Sequence, residues 1–170
     1  MLDFQSKIFN ISNNRQFNKL ALQIFHYQAT ENPTYKEYLQ YLGTDINKIS
    51  DISKIPFLPI EFFKNHKIIS GNKDYTKIFY SSGTTSSMRS KHYINDLQIY
   101  ETSFTKTFEH FYGNIDKYCI LALLPNYLEN ESSSLIYMTD YLIKKSGNKN
   151  SGFYLNNTDE LIEKLIFLNK

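Results

Sequence analysis

Leu97, Tyr100, Phe104, Phe108 and Phe111 recur at the spacing of one helix face, and Tyr118 to Leu124 follows as a near-continuous apolar run ended by Pro125. A helical stripe followed by a strand-length apolar run points to an α/β arrangement, because a strand of that kind is covered on both faces and needs helices to cover it. Asn95, with Gln98 three positions on, reads as the N-cap of that helix, and Gly113 as its end. Tyr75 to Tyr80 and Lys91 to Ile94 read as two further strands, and Ser133 to Lys145 as a helix. A short strand over Gly152 to Leu155 and a last helix capped by Asn157 with Glu160 complete the pattern. That helix carries Leu161, Ile162, Leu165, Ile166 and Leu168.

Ahead of this alternation lies a helical lead-in. Asn13 caps a helix with Gln16 three residues later, and Phe17, Leu20, Ala21, Ile24 and Phe25 line one face. Asn32 and Pro33 open a second helix through Tyr35, Tyr38, Leu39 and Leu42 to Gly43. Pro56 and Pro59 keep the next segment out of regular helix until a short helix after Pro59, with Phe57, Leu58, Phe62 and Phe63 expected in the core.

The whole chain is 170 residues, with no repeat or composition shift at which to cut it, so residues 1–170 are read as one part. The last helix stays amphipathic almost to Lys170 with no closing strand, and a small sheet with an uncovered edge suggests the front of a longer protein. Lys+Arg 19 against Asp+Glu 17 leaves +2, far from the balance that binding nucleic acid asks for, so no nucleic-acid partner is expected. No apolar run reaches the roughly 20 residues of a membrane span. Cys119, the single cysteine, sits in an apolar strand where it acts as a small hydrophobe, and a lone thiol suits the cytoplasm. No Cys, His, Asp and Glu set has metal-ligand spacing.

The stretch with chemistry in it is Tyr80-Ser81-Ser82-Gly83-Thr84-Thr85-Ser86-Ser87-Met88-Arg89-Ser90-Lys91. Gly83 lets successive backbone N–H groups converge on one anion. The hydroxyls of Ser81, Ser82, Thr84 and Thr85 add donors, and Arg89 and Lys91 supply positive charge. This suits a polyphosphate, although a loop of this composition between strands also reads as an ordinary polar hairpin turn. It is not the Walker pattern, because Gly-Lys-Ser/Thr is missing and a strand follows. His66 and His92 read as structural.

The run Tyr80 to Thr85 resembles the phosphate-binding loop of adenylate-forming enzymes. Ile55 to His66, Ser90-Lys91-His92-Tyr93 and Leu121 to Glu129 are similar to the LuxE-like acyl-protein synthetases within that group. The resemblance implies that residues 1–170 are the N-terminal part of an adenylate-forming domain whose second half is absent. It implies activation of a fatty acid with ATP and Mg2+ to an acyl-adenylate, transfer to an enzyme cysteine, and delivery to a partner reductase. Ser81, Ser82, Gly83, Thr84 and Thr85 carry over as phosphate ligands. The family's following Gly and Lys are Ser86 and Arg89 here, with Lys91 as an alternative cation. The acyl-accepting cysteine and other catalytic groups are expected beyond Lys170, and the fragment alone is expected to be inactive. Pro125, Asn126 and Tyr127 stand where a strand-ending turn or the border of an acyl pocket would lie. Two other readings stay open: an acyl-CoA ligase of the phenylacetate type, and a non-catalytic binding fragment.

Overall fold

Asparagine caps set the layout of the first of two units, Met1–Leu97 and Gln98–Lys170, into which the chain divides. The computed structural model describes residues 4–72, 74–82, 88–126 and 130–169. After a single turn, α1 (Gln5–Ile8), the first unit builds α2 (Asn14–Glu31) and α3 (Pro33–Tyr41). Asn13 Oδ1 accepts from the Gln16 N–H at 3.0 Å, and Gln16 Oε1 reaches back to the Ser12 N–H at 2.9 Å, one residue earlier than a strict capping box places it. Asn32 serves both helices. Its N–H ends α2 on the Gln28 carbonyl at 2.9 Å, and its Oδ1 caps α3 at the Tyr35 N–H, 3.1 Å away.

The two helices bury Phe25 and Ala29 against Tyr35 and Leu39, and Tyr38, Ile46, Ile49, Ile55 and Leu58 pack around them. The short helix expected after Pro59 is α4 (Phe62–Asn65). Leu58 joins the core as expected, but Phe57 does not, being 79% exposed. Side chains alternate sides along extended backbone, and with Leu58 turned inward Phe57 faces out. Leu42 is exposed as well, one residue past the end of α3. Gly71 then crosses α2 closely: its N–H bonds the Glu31 carbonyl at 2.9 Å, its φ is +80°, and a Cβ there would stand 2.9 Å from the Tyr27 hydroxyl.

The Tyr35 hydroxyl donates to the Pro56 carbonyl at 2.6 Å, tying α3 to the proline segment, and burial pushes its pKa from 10.0 up to about 12. The unfolded chain therefore loses this proton first. The contribution is full below pH 10 and disappears as pH rises toward 12. Tyr35→Phe is expected to cost about 1 kcal/mol at neutral pH. It should also flatten the fall in denaturant stability between pH 10 and 12, and an identical alkaline profile in the two proteins would contradict the assignment.

The unit ends in an antiparallel hairpin of β1 (Lys77–Tyr80) and β2 (Lys91–Ile94), shorter at its start than the expected Tyr75–Tyr80 strand. In the second unit, α5 (Leu97–Tyr112) leads to β3 (Leu121–Ala122), α6 (Ser134–Ser146), β4 (Gly152–Phe153) and α7 (Thr158–Leu168). β3 and β4 pair in parallel across α6, which makes this a βαβ unit and the class α/β. Phe104, Ile115 and Leu142 form its core, with Tyr100, Phe108, Ile120 and Tyr141 packed on them. Ser133 caps α6 through Oγ and Gly147 closes it at φ +62°.

Three expectations for this part are corrected. The Tyr118–Leu124 strand is reduced to two paired residues, because β4 offers only Gly152 and Phe153 as ladder partners, and Leu123 is exposed. The packed helix stripe ends at Phe108: Phe111 is 73% exposed, and Tyr112, although its ring lies 5.1 Å from that of Phe108, is 63% exposed. Asn95 does not cap its helix, whereas Asn157 holds the N-cap position of α7, its carbonyl accepting from the Leu161 N–H at 3.0 Å. Asn95 lies one residue too early, donates to the Ser70 carbonyl at 3.1 Å and leaves its buried Oδ1 unpaired. The Asn157 side chain pairs with Glu160 as the spacing implies, donating to its Oε2 at 3.3 Å, and accepts no backbone N–H.

Candidate functional site

The hairpin register sets Lys77 opposite Ile94, Ile78 opposite Tyr93, Phe79 opposite His92 and Tyr80 opposite Lys91. Directly opposed residues share a face, so the buried pair Phe79 and Ile94 assigns Lys77 and His92 to the inner face. Ile78, Tyr80, Lys91 and Tyr93 belong to the other. Past the strands the two chains stay joined: the Ser81 N–H donates to the Ser90 carbonyl at 3.0 Å, and the Ser90 N–H donates to Ser81 Oγ at 3.0 Å. Arg89 fastens the same neck. Its Nε donates to the Ser81 carbonyl at 2.6 Å and its guanidinium lies 5.3 Å from the Tyr80 ring centre.

Ser81 thus spends its acceptor role on the hairpin and keeps its own hydroxyl proton to donate. Ser82, Arg89 and Lys91 are exposed at the same end. Of the expected phosphate ligands, Gly83, Thr84, Thr85 and Ser86 lie outside the described residues. What the neck brings together is Ser81, Ser82, Arg89 and Lys91: two hydroxyls and two cations at the mouth of one loop.

Sequence reasoning passed over a second cluster on this hairpin. Lys67 Nζ lies 5.1 Å from the Tyr75 ring centre and 5.8 Å from that of Tyr93, and the two rings meet edge to face at 5.1 Å. Tyr93 was detectable from the two-residue alternation of β2. Lys67 was not, because it comes from an irregular segment and no periodicity links it to the strands.

His92 keeps an open flank to solvent, yet burial of its ring, with Phe63 edge-on at 6.1 Å, lowers its pKa below the ordinary value. His66 stacks on Phe62 at 4.7 Å. Both histidines are held by aromatic packing, in line with a structural role. In the second unit, Pro125 and Asn126 join Phe153, Leu155, Asn156 and Asn157 around a recess of about 90 Å³ at the carboxyl ends of β3 and β4. That is well under the roughly 300–1,000 Å³ of ordinary small-molecule sites and too small for an acyl chain. Tyr127 lies outside the described residues. Cys119 is a half-buried free thiol just before β3.

Among the described residues no group of three or more His, Cys, Asp or Glu is placed to hold a metal ion, and no helix is long and apolar enough to cross a membrane. The family model described as acyl-protein synthetase, LuxE, matches residues 2–143. No curated protein and no solved structure matches the chain.

Proposed function

The chain belongs to the LuxE acyl-protein synthetase family, and from that premise we propose that its β1–β2 loop grips the β- and γ-phosphates of ATP during activation of a long-chain fatty acid. The carboxylate oxygen attacks the α-phosphorus, the bond from that phosphorus to the bridging oxygen breaks, and pyrophosphate leaves with the electron pair. A protein thiolate then attacks the acyl carbonyl and AMP departs, leaving a thioester. The acyl group passes to a protein acceptor such as a reductase, in the cytoplasm where ATP is available.

The supporting observation is the pinned neck. Ser81, Ser90 and Arg89 hold the loop base closed, so the Ser81 and Ser82 hydroxyls and the charge of Arg89 and Lys91 stand on a fixed support beside which a polyphosphate would be held. The donor set fits such a ligand: Ser82, Thr84 and Thr85 offer hydroxyls, and the backbone at Gly83 offers N–H groups. The exposed Lys91, with the guanidinium edges that Arg89 does not spend on Ser81, offers charge. Mg2+ carried in by the nucleotide would offset charge on the departing pyrophosphate. Arg89 in place of a lysine presents a planar fork rather than a compact ammonium, which suits its double task of bracing Ser81 and facing the phosphates.

The test is exchange of labelled pyrophosphate into ATP by the whole protein that carries this sequence. Exchange that needs both Mg2+ and a long-chain carboxylate is expected, followed by a hydroxylamine-labile acyl group on protein. Absence of exchange with carboxylates of every length would overturn the reading. Acyl release only on addition of coenzyme A would replace the protein acceptor with that thiol.

A further inference from the structure

The face of the β1–β2 hairpin opposite the buried Phe79 and Ile94 gathers positive charge from three separate places in the chain. The register sets Ile78 beside Tyr93 on it and Tyr80 beside Lys91. Ring contacts bring two further cations to the same face. Lys67 Nζ lies 5.1 Å from the Tyr75 ring centre and 5.8 Å from that of Tyr93, and the Arg89 guanidinium lies 5.3 Å from that of Tyr80. Lys67, Arg89 and Lys91 are all exposed. Ion pairs among the described residues join Lys48 to Asp45, Lys144 to Asp140 and Lys164 to Glu160, so no carboxylate there pairs with any of these three cations.

Unpaired cations side by side on one face are complementary to an anionic partner, and the tyrosines narrow its type. Lys67 and Arg89 lie over the rings they touch, so those ring faces are taken and offer little to a stacking nucleobase. An anionic membrane attracts a protein in proportion to the basic residues gathered against it, and three along one narrow hairpin hold it weakly. A protein segment fits the spacing. Lys91 and Tyr93, the latter with Lys67 at its ring, stand two residues apart on one strand, about 7 Å. Side chains on one side of any extended segment repeat at that same interval, so carboxylates on alternate residues would meet Lys91 and then Lys67. The half-buried Tyr93 and the 41% exposed Tyr75 add apolar area that a small inorganic anion would leave unused.

We infer that this hairpin face docks an extended acidic segment of a partner protein, its alternate carboxylates set against Lys91 and Lys67. The phosphate-loop reading uses Arg89 and Lys91 but not Lys67. Docking measured without nucleotide and judged on Lys67 is therefore separable from that reading, and either can fail alone.

The experiment is fluorescence anisotropy of labelled, end-blocked peptides titrated with the whole protein that carries this sequence, in the absence of ATP. The probe is an eight-residue peptide that alternates glutamate with serine, and its control has the same composition with the glutamates adjacent. The alternating peptide is expected to bind roughly threefold or more tighter than the control, and to weaken as salt rises from about 0.05 to 0.5 M. Lys67→Glu, an exposed change that spares the ladder and the neck, should weaken it roughly tenfold. Lys36→Glu, an equal change of charge at an exposed position on α3, should alter it by less than about twofold. Undetectable binding, equal affinity for the two peptides, or equal effects of the two lysine changes would each overturn the inference. Association confined to single-stranded polynucleotide or to phosphatidylserine vesicles would overturn it as well.

Discussion

A protein carrying Gly83→Val together with Thr84→Ala is expected to lose Mg-ATP binding by two orders of magnitude or more while its thermal unfolding stays within a few degrees of the wild type. If the backbone at Gly83 receives the anion as proposed, a Cβ there would crowd it, and a β-branched side chain narrows the conformations open to that residue. Removing the Thr84 hydroxyl subtracts one more donor. Two lost charge-assisted contacts of about 1.5 to 3 kcal/mol each account for that factor. The hairpin should survive, because its ladder and neck rest on Lys77 to Ser81 and Arg89 to Ile94 and use neither altered residue. Calorimetric titration reads the affinity and circular dichroism reads the fold. An unchanged affinity in a folded double variant would remove the loop from the account.

The second large effect concerns the lead-in. Leu39→Ala is expected to destabilise the protein by about 2 to 5 kcal/mol, whereas Leu42→Ala, three residues along, should cost under about 0.5 kcal/mol. Leu39 is 2% exposed and packs with Phe25, Ala29 and Tyr35, so truncating it leaves a cavity in the layer that joins α2 to α3. Leu42 lies beyond the helix end and is exposed. A domain is stable by only about 5 to 15 kcal/mol, so the first change is a large share of the whole. Urea midpoints of the two variants make the comparison, and equal midpoints would contradict the packing described here.

Where sequence and structure agree, a local rule is reinforced by packing. Asn13 and Asn32 cap as their spacing implies because the residues after them, Leu20, Phe25, Tyr35 and Leu39, put a buried face behind each cap. The hairpin followed from two short alternating runs flanking a polar loop. Asn95 departs from its expected cap because an asparagine side chain both donates and accepts, and the end it uses is set by a neighbour remote in sequence. That neighbour is the Ser70 carbonyl, while Asn157 keeps its N-cap place and its Glu160 partner.

Candidate-site residues divide along similar lines. Composition singled out Ser81, Ser82, Arg89 and Lys91, and the hairpin register sets them at one end of the sheet. That Arg89 braces the neck as well as offering charge could not be read from its position, because the Ser81 carbonyl it bonds is backbone.

The most direct test of the central claim is phosphorus NMR of Mg-ATP titrated with the protein. Shifts and broadening larger at the β and γ resonances than at α, and absent with Gly83→Val plus Thr84→Ala, are the outcome expected if the loop holds the terminal phosphates. Three resonances that stay unperturbed at saturating protein, or that move equally in the wild type and the double variant, would contradict it.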